Sequence, residues 1–198
     1  MTLAVDIDDT IADTRRIWFE LFHEKYGHEK SVDELIPLYR QAEYVPEWNM
    51  ANPEEWAEKL ILSDDFNLNI KPRTDALEFI SKVNEIMPIR AYVTGRPQRV
   101  KSVTEKWIKE NLFPDAELIL RPDDIDHYKR NKWKAEFIES KFPDISAIID
   151  DEIGLAKSIS ADYPGKVYLF DYNKGDLASS NVVEVPDWQH FFDLIIAK

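Results

Sequence analysis

The chain has 198 residues, 44% hydrophobic and 32% charged, enough for one core domain with a sizeable insertion, or at most two small domains, of an ordinary soluble protein. Its formal net charge of −13 argues against a nonspecific grip on a nucleic-acid polymer, while leaving room for a local basic pocket around one phosphorylated ligand. Zero cysteines exclude disulfides, thiolate chemistry and Cys-based zinc sites; the histidines show no paired metal-ligand spacing, and no apolar stretch approaches the roughly 20 residues of a bilayer crossing. The N-terminus lacks a secretory pattern, so a cytoplasmic protein without a membrane partner is expected.

Leu3-Ala4-Val5 stops abruptly in Asp6-Ile7-Asp8-Asp9-Thr10, the pattern of a buried strand delivering acids to its open carboxyl end. Strand alternation places Asp6 and Asp8 on the same side, where two acids raise one pKa unless a cation or strong hydrogen bond intervenes. Ile17, Trp18, Leu21, Phe22 and Tyr26 recur at helical spacing, and Gly27 follows as a stop. Further helices are expected at Ser31 to Gln41, opened by a Ser31/Glu34 capping box, and at Asn52 to Leu62, opened by Pro53. The block from about 15 to 70 shows no strand-like alternation of useful length.

From Pro72 the texture changes. Ala76, Leu77, Ile80, Val83 and Met87 form one helix face, Ile89 to Val93 a strand ending at Thr94-Gly95-Arg96-Pro97, and Val100, Val103, Trp107 and Ile108 the next helix face. A strand over Ala116 to Leu120, a helix over about 133 to 142, and a strand from Ile145 to Ile149 ending at Asp150-Asp151 follow. Ile153, Ala156 and Ile159 mark another helix, Val167 to Phe170 the last strong strand, and Trp188, Phe191, Phe192, Ile195 and Ile196 a closing helix. Strands alternating with helices predict an α/β fold with a mostly parallel sheet covered on both faces, interrupted by a helical insertion after the first strand.

A parallel sheet gathers the carboxyl ends of its strands at one edge, so the acids at 6 and 8, the turn at 94 and 95 and the acids at 150 and 151 can converge there. Together they can run phosphoryl transfer, with an aspartate as nucleophile. Attack by a carboxylate on a phosphate dianion calls for Mg²⁺, to which Asp6, a carbonyl near Asp8 and Asp150 can offer oxygens, with Asp151 behind them. A lysine adds positive charge, Thr94 and the following backbone N–H groups hold the transferring oxygens, and Asp8 serves as general acid and then base.

These residues, in this order, resemble the haloacid dehalogenase-like hydrolase superfamily. Asp6 to Thr10 stand for its first motif, Thr94 for the second and Asp150-Asp151 for the fourth; the third, one lysine, falls on Lys134 or on Lys132. The resemblance implies a Rossmann-like core from 1–14 and 71–198 with a helical cap from 15–70. It also implies a Mg²⁺-dependent phosphatase working through an aspartyl-phosphate, with Asp6 as nucleophile, Asp8 as acid/base and Asp6, Asp8, Asp150 and Asp151 at the metal. The cap and the first motif's continuation through Thr14 are similar to the 5′(3′)-deoxyribonucleotidases, which makes a nucleoside monophosphate the leading small phosphorylated substrate. Thr10, Gly95 and Arg96 are candidate substrate contacts, Arg96 competing with a role in a surface salt bridge. Among the cap aromatics, most expected to build a core, Tyr44 and Trp48 are the candidates to stack on a base.

Rival readings are a signalling receiver domain, a phosphomutase or sugar-phosphate phosphatase of the same superfamily, and a non-catalytic phosphoryl-binding relative. A receiver expects its threonine and lysine after the last acid, whereas Asp150-Asp151 follow both Thr94 and the lysines. The oligomeric state is not written in the sequence.

Overall fold

A computed structural model of the protein describes residues 1–48, 53–172 and 180–197. Its strands are β1 (Leu3–Val5), β2 (Ile89–Pro97), β3 (Glu117–Arg121), β4 (Ala147–Asp150), β5 (Lys166–Phe170) and β6 (Val182–Val185), joined in one sheet of order β3-β2-β1-β4-β5-β6. Every pairing is parallel, so all carboxyl ends lie along one edge.

The sheet is buried on both faces, and side-chain alternation divides the core in two. Leu3, Val5, Ile149, Tyr168 and Phe170 point to one face, where α5 (Thr74–Ile86), α6 (Lys101–Glu110) and α9 (Trp188–Ile196) cover them with Phe79, Ile80, Trp107, Trp188 and Phe191. Ala4, Val93, Ile148, Val167 and Leu169 point to the other, beneath Ala135 and Ile138 of α7 (Arg130–Ser140) and Leu155 and Ala156 of α8 (Ile153–Ser158).

Between β1 and β2 run α1 (Thr14–Tyr26), α2 (Val32–Leu35), α3 (Pro53–Ile61) and α4 (Asp64–Asn69). Gly27 ends α1 at φ 67°, a conformation that costs a residue without Cβ little. Phe19, Phe22, Leu35, Ala42, Val45 and Trp48 form an apolar cluster of their own, whereas Phe66 and Ile70 at the end of this block pack into the main core.

Three expectations are corrected. The helix expected over Ser31 to Gln41 stops at Leu35, because Pro37 two residues later carries no N–H for a further turn, although Ser31 N–H does donate to the Glu34 carboxylate at 2.8 Å. Asp64–Asn69 is a helix that the sequence reading passed over; Ser63 caps it, accepting from Phe66 N–H at 3.4 Å. Val182–Val185 is an edge strand beyond the expected last one, half-buried and interrupted by Glu184. Asn52, the expected start of the third helix, lies outside the described residues, and α3 begins at Pro53.

Candidate active site

β1 ends at Val5, and the chain then closes a tight turn around one acceptor: the Ile7 carbonyl receives the N–H groups of Thr10, Ile11 and Ala12 at 3.4, 3.0 and 2.8 Å. Asp9 takes φ 58° to make that turn, a value aspartate tolerates better than most residues. Its carboxylate accepts from the Arg15 N–H at 2.6 Å and so fixes the turn to the start of α1. Asp6 and Asp8 are thereby held at the carboxyl edge of the sheet with different partners.

Asp6, 3% exposed, accepts from Lys134 Nζ at 2.7 Å, and the same ammonium donates to Asp150 at 2.6 Å. Lys134 sits in the second turn of α7, four residues before the buried Ile138 and on the same face, so its stem runs through the core and its charge emerges between the acids. Lys132 is about 200° around that helix, 77% exposed and paired with Glu136 at 3.8 Å; it does not reach the site. Of the two candidate lysines, Lys134 is the one that touches the acids.

Asp6, Asp150 and Asp151, all buried, each bring a carboxylate oxygen within 4.8 Å of the others. Burial pushes the Asp6 and Asp151 carboxyls well above the usual range; mutual repulsion adds to this in both, and Lys134 opposes it in Asp6. Burial also raises Asp150 against the pull of Lys134. Lys134 keeps its proton, because Asp150 and Asp6 outweigh the burial that works against its charge. One ammonium among three carboxylates leaves negative charge uncompensated, and three hard oxygen donors converging in a buried site fit a divalent cation such as Mg²⁺. Asp151 joins this group directly instead of standing behind it, and it also accepts from Arg40 of the helical block through its carbonyl at 2.6 Å and its carboxylate at 2.9 Å.

The Asp8 carboxylate is not among those converging donors, the donor expected at this position being a main-chain carbonyl. It turns to Arg96, whose Nη2 donates at 2.7 Å and whose Nε donates to both oxygens at 3.2 and 3.0 Å. Thr14 Oγ1 donates at 2.6 Å and Thr94 Oγ1 at 3.5 Å. Burial works to raise its pKa, but the Arg96 charge and these hydrogen bonds win and hold it below the usual carboxylate value. Arg96 reaches Asp8 from a bulge: Thr94 pairs with Leu120 and Pro97 with Arg121, so Gly95 and Arg96 are looped out of the β2–β3 register. Arg96 itself is 6% exposed and its partner Asp8 is half-buried at the cavity, so the salt bridge belongs to the site and not to the outer surface.

A cavity of about 790 Å³ opens on this edge, lined by Asp6, Asp8, Gly95, Arg96, Lys134 and Asp151, by Arg99, Arg121 and Arg130, and by Trp18, Leu62 and Phe66 from the helical block. Three proposed contacts fall elsewhere. Thr10 is fully buried, because the turn around Ile7 tucks it inward; its carbonyl accepts from the Trp188 indole and its hydroxyl has no partner among the described residues. Trp48 is 3% exposed, its indole N–H bound to the Gly27 carbonyl at 2.9 Å and its ring set among Phe19 and Phe22, which leaves no face for a ligand. Tyr44 is 60% exposed and does not line the cavity. The aromatics of the helical block that do are Trp18 and Phe66, tilted against each other at 4.9 Å. Sequence reasoning assigned no role to Thr14, Arg40 or Arg121; Thr14, six residues beyond Asp8 at a helix start, was the one with a local signal.

No protein-family model matches the chain. A Bacillus cereus protein provisionally named a nucleotidase is 24% identical over 203 residues, covering 98% of each chain. Among solved structures, a Thermotoga maritima protein provisionally named a beta-phosphoglucomutase superposes with a TM-score of 0.58 at 15% identity, over 100% of this chain and 99% of that one. A haloacid dehalogenase-superfamily hydrolase of subfamily IA from Geobacter sulfurreducens superposes with a TM-score of 0.52 at 10% identity over 98% of both chains. A sheet of this order, with its acids at this edge and these neighbours, has the fold of the haloacid dehalogenase-like superfamily.

Proposed function

We propose that the protein is a Mg²⁺-dependent phosphomonoester hydrolase acting on a small phosphorylated metabolite, with a nucleoside monophosphate as the leading substrate. The observation that carries this reading is the pair Asp6 and Asp8: two carboxylates two residues apart, at one cavity, in opposite electrostatic surroundings, the first beside Lys134 and acids, the second in the grip of Arg96. Asp6 attacks phosphorus, forming an aspartyl-phosphate as the ester bond breaks, and the leaving oxygen takes a proton from Asp8. Water then attacks the phosphorus with Asp8 accepting its proton, releasing phosphate and restoring Asp6. Arg96 holds Asp8 in the ionised form suited to the second step; an incoming phosphate competes for that guanidinium and frees Asp8 to take up the proton it donates in the first.

Asp6, Asp150 and Asp151 would hold the cation, which when bound supplies the positive charge that lets a carboxylate approach a phosphate dianion. Thr94 and Lys134 neutralise and position the transferring oxygens. Residues 15–70 form the cap and residues 1–14 and 71–198 the core, the cap closing over the cavity to exclude water. The nucleotide preference is supported by the name of the Bacillus cereus relative and by Trp18 on the cavity wall.

Release of inorganic phosphate from a panel of nucleotides and sugar phosphates, in Mg²⁺ and in chelator, tests the reading. Turnover in Mg²⁺ that stops in chelator is expected, fastest on a nucleoside monophosphate. Absence of turnover on every ester, or activity indifferent to chelation, overturns it; a rearranged sugar phosphate without free phosphate would identify a phosphomutase instead.

A further inference from the structure

The cavity holds four arginines, and three of them are matched by acids: Arg96 by Asp8 at 2.7 Å, Arg99 by Asp123 at 3.3 Å and Arg130 by Glu152 at 2.8 Å. Arg121 is different. It closes β3, is only 8% exposed, and forms no ion pair with any described residue. Its Nε donates to the Gly95 carbonyl at 3.1 Å and its Nη1 to the Ile125 carbonyl, while its second terminal nitrogen has no acceptor among the described residues. Burial works against its charge and holds its pKa below the usual guanidinium value; Asp123 and, more weakly, Asp126 favour the charge, while Arg99 and Arg130 oppose it.

A guanidinium does not shed its proton to escape such a place, and a buried charge in no direct ion pair is a cost that packing alone does not explain. The residue is also rigidly placed: it pairs with Pro97 across the bulge that carries Gly95 and Arg96, and it fills that bulge from the β3 side. Arg130 packs against the same glycine, where a Cβ would come within 3.0 Å of its side chain. The wall next to the second motif is therefore a fixed fork with one unused edge, the geometry that suits a planar or tetrahedral anion.

We propose that Arg121 binds a second anionic group of the substrate, a phosphate or carboxylate distinct from the phosphoryl group taken by Asp6, so that the preferred substrates are doubly anionic. This rests on the phosphomonoesterase reading above. Lys134 and Thr94 already serve the phosphoryl group at Asp6, whereas Arg121 sits beyond the Gly95 carbonyl.

The test uses matched pairs: adenosine 5′-monophosphate against adenosine 3′,5′-bisphosphate for a phosphate, and glucose 6-phosphate against 6-phosphogluconate for a carboxylate. In the native protein the KM of the doubly anionic member of at least one pair is expected to be about tenfold lower. Arg121→Gln is expected to raise that KM by about tenfold or more and to bring the two members of the pair together. Arg121→Lys, which keeps the charge and loses the fork, is expected to fall between; it carries the test alone should the glutamine variant fail to fold. Equal KM values within both pairs in the native protein, or an equal rise for both members in the variants, overturns the proposal, the second outcome marking a role in the phosphoryl site or in wall structure. Calorimetric titration with the same compounds separates this from the catalytic reading: tighter binding of a doubly anionic ligand, lost in the variants, sustains the subsite even if no ester is hydrolysed.

Discussion

Lys134→Met isolates the charge at the centre of the site, because methionine keeps the apolar stem that packs beside Ile138 and removes only the ammonium. The change deletes hydrogen bonds of 2.7 Å to Asp6 and 2.6 Å to Asp150 and leaves those two buried acids without their paired cation. Removing one partner of a buried pair costs about 3–5 kcal/mol. At this chain length each kcal/mol moves the melting midpoint by about 2–4 °C, so circular dichroism in chelator at neutral pH should show a fall of about 6–20 °C. Excess Mg²⁺ should narrow that gap, because the freed carboxylates then favour the cation. Lys132→Met is the control: its ammonium is 77% exposed and 3.8 Å from Glu136, a pair worth about 0.5 kcal/mol or less, so its melt should stay within about 2 °C of the native protein. A Lys134→Met melt as high as that of the control would refute the assignment of this lysine as the counter-charge.

Asp6→Asn retains an acceptor for Lys134 and removes one of three crowded charges; phosphate release should fall by about three orders of magnitude or more while the melt in chelator stays at or above the native value, and retained turnover would contradict the nucleophile. Trp48→Ala should cost about 3–5 kcal/mol through the cavity it leaves among Phe19 and Phe22, whereas Trp48→Phe should leave KM within about twofold; a KM rise of about tenfold without thermal destabilisation would return this ring to the binding site. Asp187 caps α9, accepting from the His190 N–H at 2.8 Å, and although burial works upward, that bond holds its carboxyl below the usual value. Asp187→Ala should therefore cost about 0.5–2 kcal/mol near neutrality; because the folded-state pKa is the lower one, denaturant titrations should find this gap full above about pH 5 and closing as pH falls through the depressed value.

What could be read from the residues was what a parallel sheet makes local. Strands buried on both faces are continuous apolar runs, so β1, β2, β4 and β5 stood out, and each motif sat where its run ended. β6 lies at the sheet edge with Glu184 inside its four residues, and such a half-buried strand carries no comparable signal. The Lys134/Lys132 choice was decidable from helical spacing to Ile138, since only one of the two shares its face. The aromatics of the helical block were not decidable in that way: Trp18 and Trp48 belong to the same small cluster, and which one reaches the cavity depends on how α1 leans against Phe66. Thr10 was misread because a motif written in a line folds as a turn, with three N–H groups converging on one carbonyl. The Arg40 bond to Asp151 crosses 111 positions and leaves no trace in either neighbourhood.

The indole of Trp188 donates to the Thr10 carbonyl at 2.9 Å across 178 positions. The turn that presents Asp6 and Asp8 is thus braced by a side chain of α9, an element far from it along the chain. A fragment cut before that helix would hold every acid and the lysine of the site yet lack this brace, so such a truncation loosens the turn while leaving the charged groups themselves in place.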